Sequence, residues 1–481
     1  MTVVEYETII GLEVHAQLLT KTKLFCSDET EFGAEPNTFI SPVTLGYPGT
    51  LPVLNKEAVF LAVKMGLACH SEIETRNYFA RKNYFYPDLP KGYQISQHTT
   101  PICKGGYISV NLPGEEKHII LNRIHLEEDA GKSIHDKDDD FTSLDFNRAG
   151  VPLIEIVTEP CINSSEEAVA FLTNLRRILR YLAVCDGNME EGSLRCDANV
   201  SIRKKGEHAL GTKVEIKNLN SIRNVKRAID FEVGRMLDLV GRNEKIIQQT
   251  RSFDASNGKT FSMRTKEEAN DYRYFPDPDL PPFEITPVQL KSIAETIPVL
   301  PEELVERYME CYGLSRYDAE VISDDKETAD YFEMIILDTP SYKAAANWLL
   351  GPVKSYLNER GISISAFPLK PSMMASLIRL VEKGQVNFSS ASSRIFPVML
   401  EEKNADPLQI ATRLNLLQTD DQSQILEWVR QAMEKMPDKV IEYKKGKKGL
   451  LGLFVAEVKK ISKGQADLQL TNQLLAQKLD Q

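Results

Sequence analysis

The chain has 481 residues, of which 42% are apolar and 26% charged, with 26 glycines and 24 prolines. At roughly 150 residues per domain this allows about three domains, each with its own core, which excludes a mini-protein or a single small binding module. The near-average composition excludes a disordered, collagen-like or coiled-coil chain, and the net charge of −11 argues against a protein that coats nucleic acid non-specifically, while leaving room for a local basic patch.

No apolar run approaches the roughly 18 residues of a membrane span. Met1 is followed by no basic and apolar leader, so a soluble, cytoplasmic protein is expected. Cys26, Cys69, Cys103, Cys161, Cys185, Cys196 and Cys311 are odd in number and widely spaced, which suggests neither a disulfide framework nor a zinc knuckle.

From the start to about residue 275, short β-type runs alternate with Gly, Pro, Asn and Asp, and all seven histidines fall there. Residues 9–18, 194–203 and 212–217 show the period of two that marks half-buried strands. One helix interrupts, with Ser164 as its cap, Glu167 three residues on, and apolar positions from Ala168 to Leu182 at helical spacing. The proline-rich segment 274–282 breaks the pattern, because prolines lack donors and restrict the residues before them. Beyond about 295 the reading is helical: 302–311, 325–337, 341–357, 371–383, 406–417 and 423–433, with a second boundary near 401–404. The expected fold class is therefore α+β, with domains at 1–294, 295–405 and 406–481, the first β-rich and of mixed or antiparallel sheet, the other two all-α. The last segment is lysine-rich, and Lys444, Lys445, Lys447 and Lys448 surround Gly446 and Gly449.

Four segments carry candidate carboxylates. In the first strand the alternation sets Gly11, Glu13, His15 and Gln17 on one face and an apolar set on the other. Glu155 stands alone within Val151 to Val157, a run that otherwise reads as a buried strand, so it needs either a structural salt bridge or a metal or catalytic role. His125-Leu126-Glu127-Glu128-Asp129 offers three adjacent carboxylates, readable as a surface loop or as a hard-cation site. A further strand carries Arg195, Asp197 and Asn199 opposite Leu194, Cys196 and Ala198. Carboxylates converging from several strands are what Mg²⁺ and a nucleotide phosphate require. No P-loop and no Rossmann glycine fingerprint is present, which disfavours those ATPases and dehydrogenases. Residues 76–97 interleave basic and aromatic side chains, suited to stacking on bases beside phosphates or simply to aromatic-rich strands.

Taken together, Gly11 to His15, Arg81 to Asp88, Gln94 to Gln97, His125 to Lys132, Pro152 to Val157, Glu190 to Asn199, Asp271 to Pro276 and Ser462 to Ala466 resemble, in order and over nearly the whole chain, the B-subunit family (GatB) of bacterial aspartyl/glutamyl-tRNA amidotransferases. The resemblance implies a glutamine synthetase-like cradle, a helical domain and a YqeY-like tail. It implies an ATP-dependent ligase that phosphorylates the side-chain carboxylate of Glu-tRNA(Gln) or Asp-tRNA(Asn) and transfers ammonia made by an amidase partner, the A-type chain, with a small C-type chain completing a heterotrimer. On this sequence the implied metal and catalytic set is Glu13, His15, Glu128, Glu155 and Asp197. Arg81, Lys82, Arg195 and Lys213 are the expected ATP or substrate contacts, and Lys444, Lys445, Lys447 and Lys448 the expected tRNA contacts. Mg²⁺ and ATP are the expected cofactors. Zinc is not expected, because where some relatives carry a Cys-Pro-x-Cys segment this chain has Ser41-Pro42-Val43-Thr44, leaving Cys26 without thiol partners. A non-catalytic tRNA-binding scaffold and a metal-dependent phosphohydrolase are the competing readings.

Overall fold

A computed structural model describes residues 5–112, 114–134, 141–265, 272–402, 405–419, 421–462 and 464–480. The chain divides into two compact units, Met1–Leu300 and Pro301–Gln481. The first is built on strands β1 (Tyr6–Gln17), β2 (Ala80–Asn83), β3 (Tyr93–Ser96), β4 (Tyr107–Leu112), β5 (Glu115–Glu128), β6 (Pro152–Thr158), β7 (Leu194–Lys204), β8 (Val214–Leu219), β9 (Gln249–Asp254), β10 (Lys259–Thr265) and β11 (Phe275–Pro276). Along the main sheet they run β10-β9-β8-β7-β1-β6-β5-β3-β2-β11. All these pairs are antiparallel except β8 with β9. That parallel step needs a long crossover, which helix α3 (Ile222–Gly241) supplies.

The sheet has one apolar and one polar face, as the alternation in β1 requires. Ile10, Leu12, Val14 and Ala16 are fully buried in the core beneath α1 (Lys56–Ala68) and α2 (Ser165–Tyr181), each large aliphatic contributing roughly 1.5–3 kcal/mol. Helix α2 begins where the sequence places it: Ser164 accepts the Glu167 N–H at 3.1 Å. The expected reciprocal bond is redirected, since the Glu167 carboxylate takes the Asn163 N–H at 2.8 Å and the Lys117 ammonium at 2.6 Å. The proline-rich segment does not simply leave the sheet. Phe275 and Pro276 add an edge pair to β2 before the chain turns away.

One buried cation holds two loops against this sheet. Lys23, fully buried, donates to the carbonyls of Phe39 (2.7 Å) and Phe146 (3.3 Å), and burial pushes its ammonium down to about 8 although Cys26, Asp28, Glu128 and Asp145 oppose the shift. The unfolded chain keeps that proton up to about pH 10.4. Between these values the unfolded state binds more protons, so stability rises with pH, by at most roughly 3 kcal/mol in all. The expected result is that wild type gains on a Lys23→Met variant in urea unfolding from pH 8 to 10; a constant difference would show that the folded state keeps the proton.

The second unit is helical, as expected, with helices at Pro301–Glu310, Lys326–Leu337, Pro371–Glu382, Pro407–Arg413 and Gln422–Lys435 among others. The span read as one helix at 341–357 is interrupted by a π-turn at Leu349–Val353, where Pro352 supplies no N–H. Residues between Ile425 and Leu479 close a core of their own around Val429, Phe454, Val458 and Leu475. No helix among the described residues is long and apolar enough to cross a membrane.

Candidate active site

The polar face is assembled by register. In β1, Glu13 stands opposite Asp197 of β7 and His15 opposite Glu155 of β6, while Glu155 in turn stands opposite His125 of β5. Leu153 opposite Glu127 and Asn199 opposite Glu215 bring the next strands onto the same face. Directly opposed residues in antiparallel strands project to one side, so this pairing alone concentrates the charges. They line a cavity of about 430 Å³, which Lys82, Lys213 and Lys217 also border. An adjoining cavity of about 660 Å³ shares His15, Lys82, Glu127 and Glu155 and adds Asp129, Lys132 and Arg195.

Two groups within it have ligand atoms lying within 4.8 Å of one another: His15, Glu127 and Glu155, and Glu13, Asp197 and Glu215. In the first, His15 Nε2 is 3.4 Å from Glu127 and 3.7 Å from Glu155, and the buried His125 lies behind them, its Nε2 3.2 Å from Glu155. Burial disfavours the charged imidazole, but Glu155 and then Glu127 outweigh it and push His125 up to about 9. Burial likewise works against an ionised Glu155, and His125, with His15 and Arg123, holds it well below the usual carboxylate range. In the second group Asn199 donates to Glu13 at 2.9 Å, and Lys217 reaches Asp197 at 2.6 Å and Glu215 at 3.2 Å. A bulge aims that lysine. Opposite the single residue Asp197, β8 carries both Lys217 and Asn218, the latter in the left-handed region at φ 67°.

The sequence-derived set is mostly gathered here, with two corrections. Glu13, His15, Glu155 and Asp197 share the cavity, but Glu128 does not. In β5 it falls on the same side as Ile124 and Leu126, where its carboxylate meets the Lys91 ammonium and accepts the Ile95 N–H at 2.8 Å; Glu127 takes the place expected of it. Running the period of two through Ile124, Leu126 and Glu128 would have shown this, and the same rule from Val214 puts Glu215 and Lys217 on the polar face. The second correction is Arg81. It points to the core-side face, against the Tyr93 ring (4.2 Å), and its Nε and Nη2 pair with Asp277 at 2.8 Å and Asp279 at 2.7 Å. Lys82 and Lys213 do line the 430 Å³ cavity, and Arg195 lines the larger one while pairing with Asp129 at 2.8 Å.

Around Cys26 the groups are hydroxyl and carboxylate: its Sγ is 3.4 Å from Thr44 Oγ1, which donates to Asp28 at 2.5 Å. A set with one thiol does not fit a structural zinc site. In the second unit Lys447 pairs with Glu442 at 3.0 Å, and Lys448 pairs with Asp480 and lies over the Tyr443 ring at 4.3 Å. Lys444 and Lys445 have no ion-pair partner among the described residues.

A cradle of this build, with acidic, imidazole and ammonium groups on one sheet face, matches the family model described as the GatB/GatE catalytic domain over residues 8–291, and the model described as the GatB domain matches residues 330–479. Similar over full length are the B subunits of aspartyl/glutamyl-tRNA(Asn/Gln) amidotransferase from Thermodesulfovibrio yellowstonii (48% identity; 98% of each chain), Caldicellulosiruptor bescii (48%; 99% of each) and Alkalilimnicola ehrlichii (48%; 99% of this chain and 100% of the relative). The chain belongs to the B-subunit family of the aspartyl/glutamyl-tRNA(Asn/Gln) amidotransferases.

Proposed function

We propose that this chain acts in the cytoplasm as the tRNA-binding and transamidating member of a heterotrimer with an A-type amidase chain and a small C-type chain. It binds Glu-tRNA(Gln), Asp-tRNA(Asn) or both, transfers the terminal phosphoryl group of ATP to the side-chain carboxylate, and lets ammonia from the amidase displace the phosphate. The observation that carries the reading is the single polar sheet face on which Glu13, His15, Glu127, Glu155, Asp197 and Glu215 border one cavity with three lysines, in a chain that matches the family end to end.

A carboxylate resists amidation because its leaving group would be oxide; phosphorylation turns that oxygen into a leaving group. The all-oxygen group Glu13, Asp197 and Glu215 suits Mg²⁺, and His15 with Glu127 and Glu155 forms a second set able to hold a divalent ion. Bound there, such an ion would supply charge neutralisation to the phosphate during transfer. Lys82 and Lys217 bring ammonium groups to the same cavity, where they meet phosphate or carboxylate oxygens. If the ion is held by Glu13, Asp197 and Glu215 alone, His15 Nε2, between two carboxylates, keeps its lone pair and is placed instead to take a proton from the incoming nitrogen. Zinc has no part in this scheme.

The test is amide formation on each misacylated tRNA by the assembled heterotrimer with glutamine. ATP-dependent product with at least one tRNA is expected. Tight tRNA binding without product would support the scaffold reading, and ATP hydrolysis indifferent to the aminoacyl group the phosphohydrolase one.

The tail, residues 406–481, is assigned to the tRNA backbone. Lys447 and Lys448 already have acidic partners, so the effect should concentrate on Lys444 and Lys445. Replacing both with alanine is expected to weaken tRNA binding and reduce the slope of log affinity against log salt by roughly 1–2, with glutamine hydrolysis unchanged. An unaltered slope would remove this turn from the binding surface.

A further inference from the structure

The aromatic segment 272–276 and the carboxylates that follow it have no part in the scheme above. Asn83 fastens the segment to β2: its N–H donates to the Tyr272 carbonyl at 3.0 Å, and its side-chain amide to the Arg273 carbonyl at 2.9 Å. Phe275 and Pro276 pair with Arg81 and Ala80, and the Asp277 N–H reaches the Phe79 carbonyl at 2.8 Å. From the far side of the sheet Arg81 grips Asp277, whose side chain is fully buried, and Asp279. On the cavity side the strap presents two rings. Tyr274 stacks on His98 at 4.0 Å with planes 5° apart, and Tyr272 meets Tyr274 edge-on at 6.0 Å. The Lys82 ammonium lies 4.9 Å from the centre of the Tyr272 ring and 5.9 Å from that of Tyr84.

We propose that Arg81 is a positioning residue: by clamping Asp277 and Asp279 it sets the strap whose Tyr272 ring directs the Lys82 ammonium into the cavity. Residues 81 and 82 are adjacent in one strand and so point to opposite faces, and the strap passes from one face to the other. A lysine has four rotatable side-chain bonds. A ring face that attracts its ammonium narrows the directions it samples, and Lys82 borders both cavities, so its direction decides which anion it meets. The inference rests on the proposed function, because it assigns the strap to the same cavity and reaction.

The test uses the assembled heterotrimer and reads kcat and KM for ATP in amide formation, with thermal melting beside them. Tyr272→Leu removes no buried charge and is expected to lower kcat about tenfold to a hundredfold, the scale of a misplaced group in a positioned site, at unchanged melting temperature. Tyr272→Phe, which keeps the ring, restores most of the loss. In a Lys82→Met background Tyr272→Leu has no further effect beyond about twofold, and Arg81→Ala with Tyr272→Leu is no slower than the worse single variant. Wild-type kcat in Tyr272→Leu, no rescue by Phe, or fold-losses that multiply in either pair would overturn the proposal. If Arg81→Ala melts early because Asp277 is left unpaired, the Tyr272 and Lys82 pair decides alone. A wild-type heterotrimer that forms no amide with ATP would refute the proposed function itself, a separate result from any of these.

Discussion

Glu155→Gln is expected to lower ATP-dependent amide formation by roughly a hundredfold to a thousandfold, while tRNA affinity stays within about twofold of wild type. The substitution keeps size and hydrogen-bonding capacity but removes one charge from a floor where Glu155 lies 3.2 Å from His125 and 3.7 Å from His15. Its ionised state is maintained against burial by those two imidazoles, so glutamine cannot reproduce the field that a cation or phosphate would meet. Aminoacyl-phosphate formation, followed as ATP consumed in the presence of misacylated tRNA, should fall together with product. Equal loss of tRNA binding, or a lowered melting temperature, would show that Glu155 holds the sheet together instead.

The second large effect concerns stability and lies on the other side of the sheet. Glu232, fully buried in α3, is met by Arg235 Nε at 2.9 Å, Arg251 Nε at 2.7 Å and the Thr260 hydroxyl, and so ties the helix to β9 and β10. Glu232→Ala leaves the half-buried Arg235 and Arg251 guanidiniums without their carboxylate. Breaking such a buried pair costs about 3–5 kcal/mol, which in a unit of this size lowers the melting temperature on the order of 10 °C. Glu166, paired with Lys226 at 2.6 Å on the exposed surface, provides the contrast: Glu166→Ala should cost about 1 kcal/mol or less. Melting of the two variants at the same temperature would deny the Glu232 clip its role. The comparison matters for function because β8, whose Glu215 and Lys217 border the cavity, pairs directly with β9, the strand that carries Arg251.

Much of this protein is written in local periodicity. The alternation of Ile10, Leu12, Val14 and Ala16 with Gly11, Glu13, His15 and Gln17 settles which face of β1 is polar, because a strand has only two sides and burial selects one. The cap at Ser164, the proline break near 276 and the succession of helices after residue 300 are local in the same sense. Which strands lie beside β1 is not local. Residues more than a hundred positions apart, Glu13 with Asp197 and His15 with Glu155, are brought together by sheet register, and only the closed core beneath α1 and α2 selects that register. The choice between Glu127 and Glu128 illustrates the division. Adjacent carboxylates are indistinguishable by composition, and it took the pairing of Leu153 with Glu127 on one face, and of Lys91 with Glu128 on the other, to separate them. Arg81 beside Lys82 is the same ambiguity, resolved by a strap from residues 272–279 that no short-range pattern could place: neighbours in a strand part to opposite faces, and the partners waiting on each face are decided by the tertiary fold.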